Sequence, residues 1–132
     1  MIGLDTNVLV RFITRDDKLQ ASQVMSFIQK YQDKEQVLYI NKITICQVVW
    51  VLKKGYHYKK EELLSLLKFL IHVKEFCFED FDSVEETIEL YETCSVDFAD
   101  ILVSISNKKA HCHETISFDS KAIKHNIFSS LN

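Results

Sequence analysis

The chain has no proline and only two glycines, Gly3 and Gly55, among its 132 residues. It therefore lacks the Gly-rich loop with which many nucleotide-binding proteins hold phosphates. None of its apolar runs approaches the roughly 20 residues needed to cross a bilayer. The net charge of −3 argues against a protein that holds nucleic acid through bulk basicity. Linkers, low-complexity stretches and internal repeats are also missing, so we predict a single domain over residues 1–132.

The four cysteines lie far apart, and no two of them form a Cys-x-x-Cys pair. They are Cys46, Cys77, Cys94 and Cys112. No secretory signal precedes the first acidic residue, Asp5, so we expect a cytoplasmic protein with reduced thiols that mostly fill the core. The segment 111–114 contains His, Cys and Glu, but side chains that alternate along a strand do not converge on one zinc ion.

Short apolar runs alternate with amphipathic segments along the chain. This order predicts an α/β protein with a central, mainly parallel sheet and helices on both faces. The predicted strands cover residues 1–4, 37–40, 76–78, 114–118 and 127–128. The predicted helices cover residues 6–14, 18–31, 43–54, 59–72, 83–93, 97–110 and 120–125.

Three acidic residues that are far apart in the sequence each end a predicted strand or begin a predicted helix: Asp5, Asp100 and Asp119. In an open α/β sheet such positions gather at the edge beyond the carboxyl ends of the strands. Two carboxylates about 4 Å apart repel each other by about 4 kcal/mol at an effective dielectric constant of about 20. A divalent cation such as Mg²⁺ removes that cost and prefers carboxylate oxygens. The three acids therefore indicate a metal-dependent phosphodiester hydrolase.

Each acid also has a purely structural alternative. Asp5 and Asp119 are both placed to cap a following helix. Asp97 and Asp100 stand three residues apart, so Asp97 is expected to cap the helix while Asp100 reaches the site from its first turn. We favour a ligand role for Asp5 and Asp100. For Asp119 the two roles are evenly balanced.

Four blocks of the sequence together resemble a PIN-domain ribonuclease of the VapC toxin type. They cover residues 2–11, 48–52, 97–102 and 115–121, and their order and spacing match the family as well. The resemblance extends over essentially the whole chain. It implies a three-layer α/β/α sandwich in which four acids bind Mg²⁺ or Mn²⁺. It also implies endoribonuclease activity, a homodimer, and inhibition by a cognate antitoxin protein.

The four acids implied by this resemblance fall at Asp5, residue 47, Asp100 and Asp119. Position 47 departs from the family, because Gln47 stands where Glu is usual. Gln47 has an alternative role in a capping box with Thr44. If it lies in the site, the site has lost one negative charge, and an amide oxygen holds a cation less well than a carboxylate does.

Three interpretations of Gln47 stay open at this point. In the first, the chain is a working nuclease with reduced metal affinity. Alternatively, it is a natural, catalytically impaired module that binds RNA or an antitoxin. In the third case, a Glu→Gln substitution was introduced to silence a toxin.

Several polar residues beside the acids are candidates for contacts with substrate or water. Thr6 and Asn7 follow Asp5, Ser117 lies two residues before Asp119, and Arg11 is able to bond two phosphate oxygens at once. Large apolar side chains are candidates for a groove that holds an antitoxin helix or forms a dimer face. These are Phe12, Phe27, Trp50 and Phe69, although core packing is the preferred interpretation of Trp50.

Overall fold

Three short parallel strands form the sheet, in the order β1 (Ile2–Gly3), β2 (Leu38–Ile40) and β3 (Phe76–Phe78). Tyr39 of the central strand pairs with Gly3 on one side and with Cys77 on the other. The computed structural model describes residues Met1–Asn132, which form two compact units, Met1–Phe81 and Asp82–Asn132. The predicted α/β class with a parallel central sheet is confirmed.

Helices connect the strands of the first unit. α1 (Thr6–Thr14) and α2 (Lys18–Gln29) lie between β1 and β2, and α3 (Lys42–Lys54) and α4 (Lys60–Leu70) lie between β2 and β3. Apolar residues three and four positions apart form the buried faces of α3 and α4, as helical periodicity requires. These residues are Ile45, Val48, Val49 and Leu52 in α3, and Leu63, Leu67 and Leu70 in α4.

The parallel arrangement of the first unit places the carboxyl ends of its strands at one edge. Asp5 follows β1, Asn41 follows β2 and Glu79 follows β3. The backbone N–H of Glu79 donates to the carbonyl of Ile40 at 2.9 Å, so the pairing of β2 and β3 continues to this edge. The edge therefore collects side chains that the sequence separates by more than thirty residues.

The second unit is mainly helical. α5 (Phe81–Thr93) begins at the boundary, and α6 (Phe98–Lys109) and α7 (Ser120–Lys124) follow. The ring of Tyr91 on α5 packs edge-on against Phe98 on α6, with the centroids 5.8 Å apart. The hydroxyl of Ser104 donates to the carbonyl of Ile127 at 2.8 Å and so attaches the C-terminal segment to α6.

The predicted strands at residues 114–118 and 127–128 are wrong. Only one parallel bridge forms in this region, between Ile116 and Ser129. Ile116 and Phe118 are exposed and so have no core face to bury, whereas Phe128 is buried in an irregular segment. A strand is stabilised when one of its faces packs against other residues, and residues 114–118 have no such buried face.

Other differences concern helix ends and burial. The helix predicted over residues 18–31 ends at Gln29, and the one predicted over residues 59–72 ends at Leu70. The cysteines form no disulfide, but they are not core residues, because three are half-buried and Cys112 is exposed. Trp50 is 64% exposed, so its predicted core position is wrong. None of the helices is both long enough and apolar enough to cross a membrane.

Candidate functional site

Asp5 occupies the N-cap position of α1 with an extended backbone, but its side chain makes no capping hydrogen bond. The backbone carbonyl of Asp5 instead accepts from the N–H groups of Val8 and Leu9, at 3.1 and 3.3 Å. The carboxylate is exposed at the edge beyond β1. The alternative in which Asp5 serves only as a side-chain cap is therefore wrong.

Gln47 bonds to the residue next to Asp5. The buried hydroxyl of Thr6 donates to Oε1 of Gln47 at 2.5 Å, across 41 positions of sequence. The side chain at position 47 consequently lies beside the residue that follows Asp5. This is where a residue that shares a site with Asp5 is expected.

The capping box of Gln47 with Thr44 does not form. The N-cap of α3 is Asn41, whose Oδ1 accepts from the backbone N–H of Thr44 at 2.8 Å. Thr44 is therefore the third residue of the helix, and Gln47 lies beyond the first turn. The side chain of Gln47 is exposed and engages Thr6 instead.

Arg11 is held by a network within the first unit. Its Nε donates to Oε1 of Gln20 at 2.6 Å, and its Nη1 donates to the hydroxyl of Tyr56 at 3.1 Å. Nη1 also lies 3.5 Å from Oδ1 of Asp16. Sequence reasoning missed Tyr56 and Asp16, because no local pattern connects the end of α1 with the loop after α3.

Two hydroxyl groups keep Asp16 ionised. Tyr56 donates to Oδ2 of Asp16 at 2.8 Å, and Thr14 donates to Oδ1 at 2.9 Å. These bonds, first that of Tyr56 and then that of Thr14, hold the pKa of the Asp16 carboxyl below its ordinary value, and the charge of Arg11 lowers it further. The Arg11 guanidinium therefore faces a carboxylate that stays negative at neutral pH.

Asn7 is exposed on α1 and lines an apolar groove of about 390 Å³ in the first unit. Val8, Val24 and Phe27 supply apolar walls of this groove, and Arg11 lies at its polar side. Among the other predicted groove residues, Phe12 packs edge-on against Phe76 with centroids 5.8 Å apart. Trp50 and Phe69 are exposed.

In the second unit, Asp97 and Asp100 occupy the predicted positions at the start of α6. Asp97 is the N-cap residue, although its side chain makes no capping hydrogen bond, and Asp100 is the third residue of the helix. Asp97 is exposed and Asp100 is half-buried. The prediction that Asp100 is presented from the first turn of this helix is confirmed.

Asp119 is a cap as well as a candidate ligand. Its Oδ1 accepts from the backbone N–H of Ala122 at 2.9 Å, at the start of α7. Its own N–H donates to Oγ of Ser117 at 2.9 Å. The capping alternative is therefore confirmed for one oxygen of this carboxylate, and the turn through Ser117 fixes its backbone.

The charges of Asp119 and Asp97 lie close enough to Asp100 to perturb its carboxyl. Burial raises the pKa of the Asp100 carboxyl above its ordinary value, and the nearby charges of Asp119 and then Asp97 raise it further. A cation relieves this repulsion, and an all-oxygen set of donors suits a hard ion such as Mg²⁺ or Mn²⁺. The residues present therefore fit a divalent metal by their chemistry.

The structure contains no group of three or more His, Cys, Asp or Glu side chains placed to hold a metal ion. The predicted set takes Asp5 and Gln47 from the first unit, and Asp100 and Asp119 from the second. That these four residues share an ion stays a prediction.

Comparison with known proteins identifies the family of this chain. The PIN domain family matches residues 2–126. A VapC ribonuclease of Aquifex aeolicus (strain VF5) is 26% identical over 115 residues, which cover 87% of this chain and 84% of that protein. No solved structure matches the chain. Since the family match extends over nearly the whole sequence, the chain belongs to the PIN domain family.

Proposed function

We propose that this chain is a metal-dependent endoribonuclease and the toxin component of a toxin–antitoxin pair. Membership of the PIN domain family and the likeness to a VapC ribonuclease support hydrolysis of RNA phosphodiester bonds. The observation that carries the proposal is the half-buried Asp100 carboxyl, whose pKa is raised first by burial and then by repulsion from the nearby Asp119 charge. Repulsion of this kind is what a bound divalent cation relieves.

We assign Asp5, Asp100 and Asp119 as the metal ligands, with Gln47 as the fourth member of the site. In this proposal residues 1–132 act as one catalytic domain. Mg²⁺ is the expected ion, and Mn²⁺ is the alternative. When bound, such an ion neutralises the phosphate and lowers the pKa of a water molecule that attacks in line.

The protein groups hold and orient the reactants. The backbone N–H of Ala122 donates to the Asp119 carboxylate and orients it, and Oγ of Ser117 accepts from the backbone N–H of Asp119. The half-burial of Asp100 limits competing water. Thr6 fixes the amide of Gln47 by donating to its oxygen. We propose that Asn7 and Asp97 orient water or phosphate at the edge of the site. No side chain is required as a covalent nucleophile.

We propose Arg11 as a phosphate contact. RNA has to approach a chain of net charge −3, so a cation on α1, the helix that follows Asp5, assists its binding. Because Nε and Nη1 of Arg11 are used within the first unit, Nη2 is the donor proposed for a phosphate oxygen.

The proposed partners are RNA, a cognate antitoxin and a second copy of the chain in a cytoplasmic homodimer. The apolar groove along α1 and α2 supports antitoxin binding, since an amphipathic helix can lay its apolar face in such a groove. An antitoxin that also carries a basic side chain would compete with the metal for the carboxylates by the same electrostatic attraction.

The test is RNA cleavage by the chain as it stands and by Gln47→Glu, in a titration with Mg²⁺. We expect weak but measurable cleavage with Gln47 and a rise of about 10- to 100-fold with Glu, because the substitution restores a charge beside the metal. Gln29→Glu is the matched control, since it adds the same charge at an exposed position of α2 and is expected to leave the rate unchanged. Asp100→Asn and Asp119→Asn are expected to abolish cleavage.

The outcomes separate the remaining alternatives. An unchanged rate in Gln47→Glu would contradict the placement of residue 47 in the metal site. RNA binding without cleavage, in both the chain as it stands and Gln47→Glu, would favour a catalytically impaired PIN module that acts by binding RNA or an antitoxin. The Gln at position 47 is the observation that favours this second function.

A further inference from the structure

Phe118 is the most exposed large apolar side chain of the protein, at 89%. Single apolar side chains on a surface are ordinary and need no explanation by themselves. The setting of Phe118 is different, because it lies directly between Ser117 and Asp119 in the second unit. An aromatic ring therefore projects into solvent beside a candidate metal ligand.

Hydrogen bonds fix the backbone on both sides of this ring. The N–H of Ser117 donates to the carbonyl of Ser129 at 2.9 Å, and the N–H of Ser129 donates to the carbonyl of Thr115 at 2.8 Å. On the other side, the N–H of Asp119 donates to Oγ of Ser117 at 2.9 Å, and Asp119 caps α7. The base of the ring is therefore held at a set place relative to Asp119 and is not carried by a loose loop.

The groups around Phe118 suit a single-stranded nucleic acid. Proteins that bind such strands combine cations for the phosphates with exposed aromatic rings on which bases stack. Lys121 and Lys124 are exposed on α7, directly after Asp119. An unpaired base can leave its own stack and place its face against an aromatic ring, whereas a base inside a duplex cannot.

We propose that Phe118 stacks on an unpaired base of the RNA, next to the proposed metal ligand Asp119. This inference rests on the proposed ribonuclease function and narrows its substrate to RNA that is single-stranded at this position. Stacking tolerates every base, so Phe118 contributes affinity and position more than sequence specificity.

The first test measures the affinity of a short single-stranded RNA by fluorescence anisotropy, with Ca²⁺ in place of Mg²⁺ to limit turnover. Phe118→Ala is expected to weaken binding about tenfold, which is within the range for loss of one stacked base. Phe118→Leu should weaken it similarly, since Leu is apolar but has no ring, while Phe118→Trp should preserve it. Leu131→Ala, which shortens another exposed apolar side chain of the second unit, is the matched control and should bind as tightly as the unchanged chain.

The second test reports on the stack itself. Trp50 is the sole tryptophan, so Phe118→Trp in a Trp50→Phe background carries one fluorophore at position 118. Its emission should be quenched by single-stranded RNA and not by an RNA duplex with paired ends. This readout is independent of cleavage.

Each outcome supports or overturns the inference. If Phe118→Ala binds and cleaves RNA as the unchanged chain does, stacking is overturned while the ribonuclease proposal stands. If Phe118→Ala changes only the oligomeric state, measured by sedimentation, the ring belongs to a contact between copies and stacking is again overturned. If the unchanged chain neither binds nor cleaves RNA, the proposed function fails, and the stacking inference fails with it.

Discussion

The thiol of Cys46 illustrates how its surroundings control the chemistry of one residue. Burial raises the pKa of Cys46 from 9.0 to about 11, because an apolar environment disfavours the thiolate. Cys112, in contrast, is exposed. The thiolate is the reactive form of cysteine, so the two residues should differ in reactivity although they are the same residue type.

We expect iodoacetamide at pH 8 to modify Cys112 first and Cys46 most slowly, as followed by mass spectrometry of the peptides. In the chain unfolded by urea the two cysteines should react at equal rates. Equal rates in the folded chain as well would contradict the burial of Cys46.

The raised pKa of Cys46 also predicts that the stability of the protein depends on pH. The pKa of Cys46 is higher in the folded chain than in the unfolded chain, so its contribution to the free energy of unfolding is complete below about pH 9. That contribution is lost as the pH rises toward 11. In Cys46→Ser, the free energy of unfolding should fall less at alkaline pH than it does in the unchanged chain. Urea unfolding at several pH values measures this difference.

Four of the polar residues that stand at helix N-cap positions serve different purposes. The side chains of Asn41 and Asp119 bond to the helices that follow them, whereas those of Asp5 and Asp97 make no capping bond. A side chain that makes no capping bond can contact a ligand without breaking a hydrogen bond to the helix. Asn41 has the opposite role, because it fixes the start of α3 and so the position of Gln47.

Asn41→Ala should destabilise the protein by about 1 kcal/mol, because the N–H of Thr44 loses its side-chain acceptor. The measurement is the urea midpoint of unfolding at an unchanged slope. Asn41→Ser is the matched control, since serine also caps well, and it should recover most of the loss. An equal loss with Ser would show that Asn41 acts through something other than its cap.

At the scale of the whole molecule, stability depends on a core that is assembled from distant segments. A protein of this size is stable by only about 5–15 kcal/mol, so one large cavity removes a substantial part of that stability. Leu63 on α4 is fully buried, while Leu19 on α2 is 70% exposed. Replacing Leu by Ala at both positions therefore shows how much of the loss of stability is due to burial, because the residue type is the same.

Leu63→Ala should cost about 3–5 kcal/mol and lower the thermal midpoint by many degrees, because the removed side chain leaves a cavity. Leu19→Ala should change the free energy of unfolding by less than about 0.5 kcal/mol. Both values can be read from denaturant unfolding followed by circular dichroism. Similar losses at the two positions would contradict the assignment of Leu63 to the core.

The sequence by itself determined the features that depend on local spacing. Apolar residues three and four apart marked α1, α3 and α6 to within a residue or two, and short apolar runs marked the three strands. The acids at positions 5, 97, 100 and 119 fell at helix starts, as predicted. Each of these patterns is written in neighbouring residues, because helix and strand periodicities extend over only a few positions.

The tertiary structure alone decided which distant side chains meet. The partner of Gln47 is Thr6, 41 positions away, and not the nearby Thr44 that a local capping pattern favours. The strand expected at residues 114–118 failed because the fold supplies no surface to cover it, and Phe118 was left in solvent. Long-range hydrogen bonds and burial arise only when the chain has packed, so no window of sequence contains them.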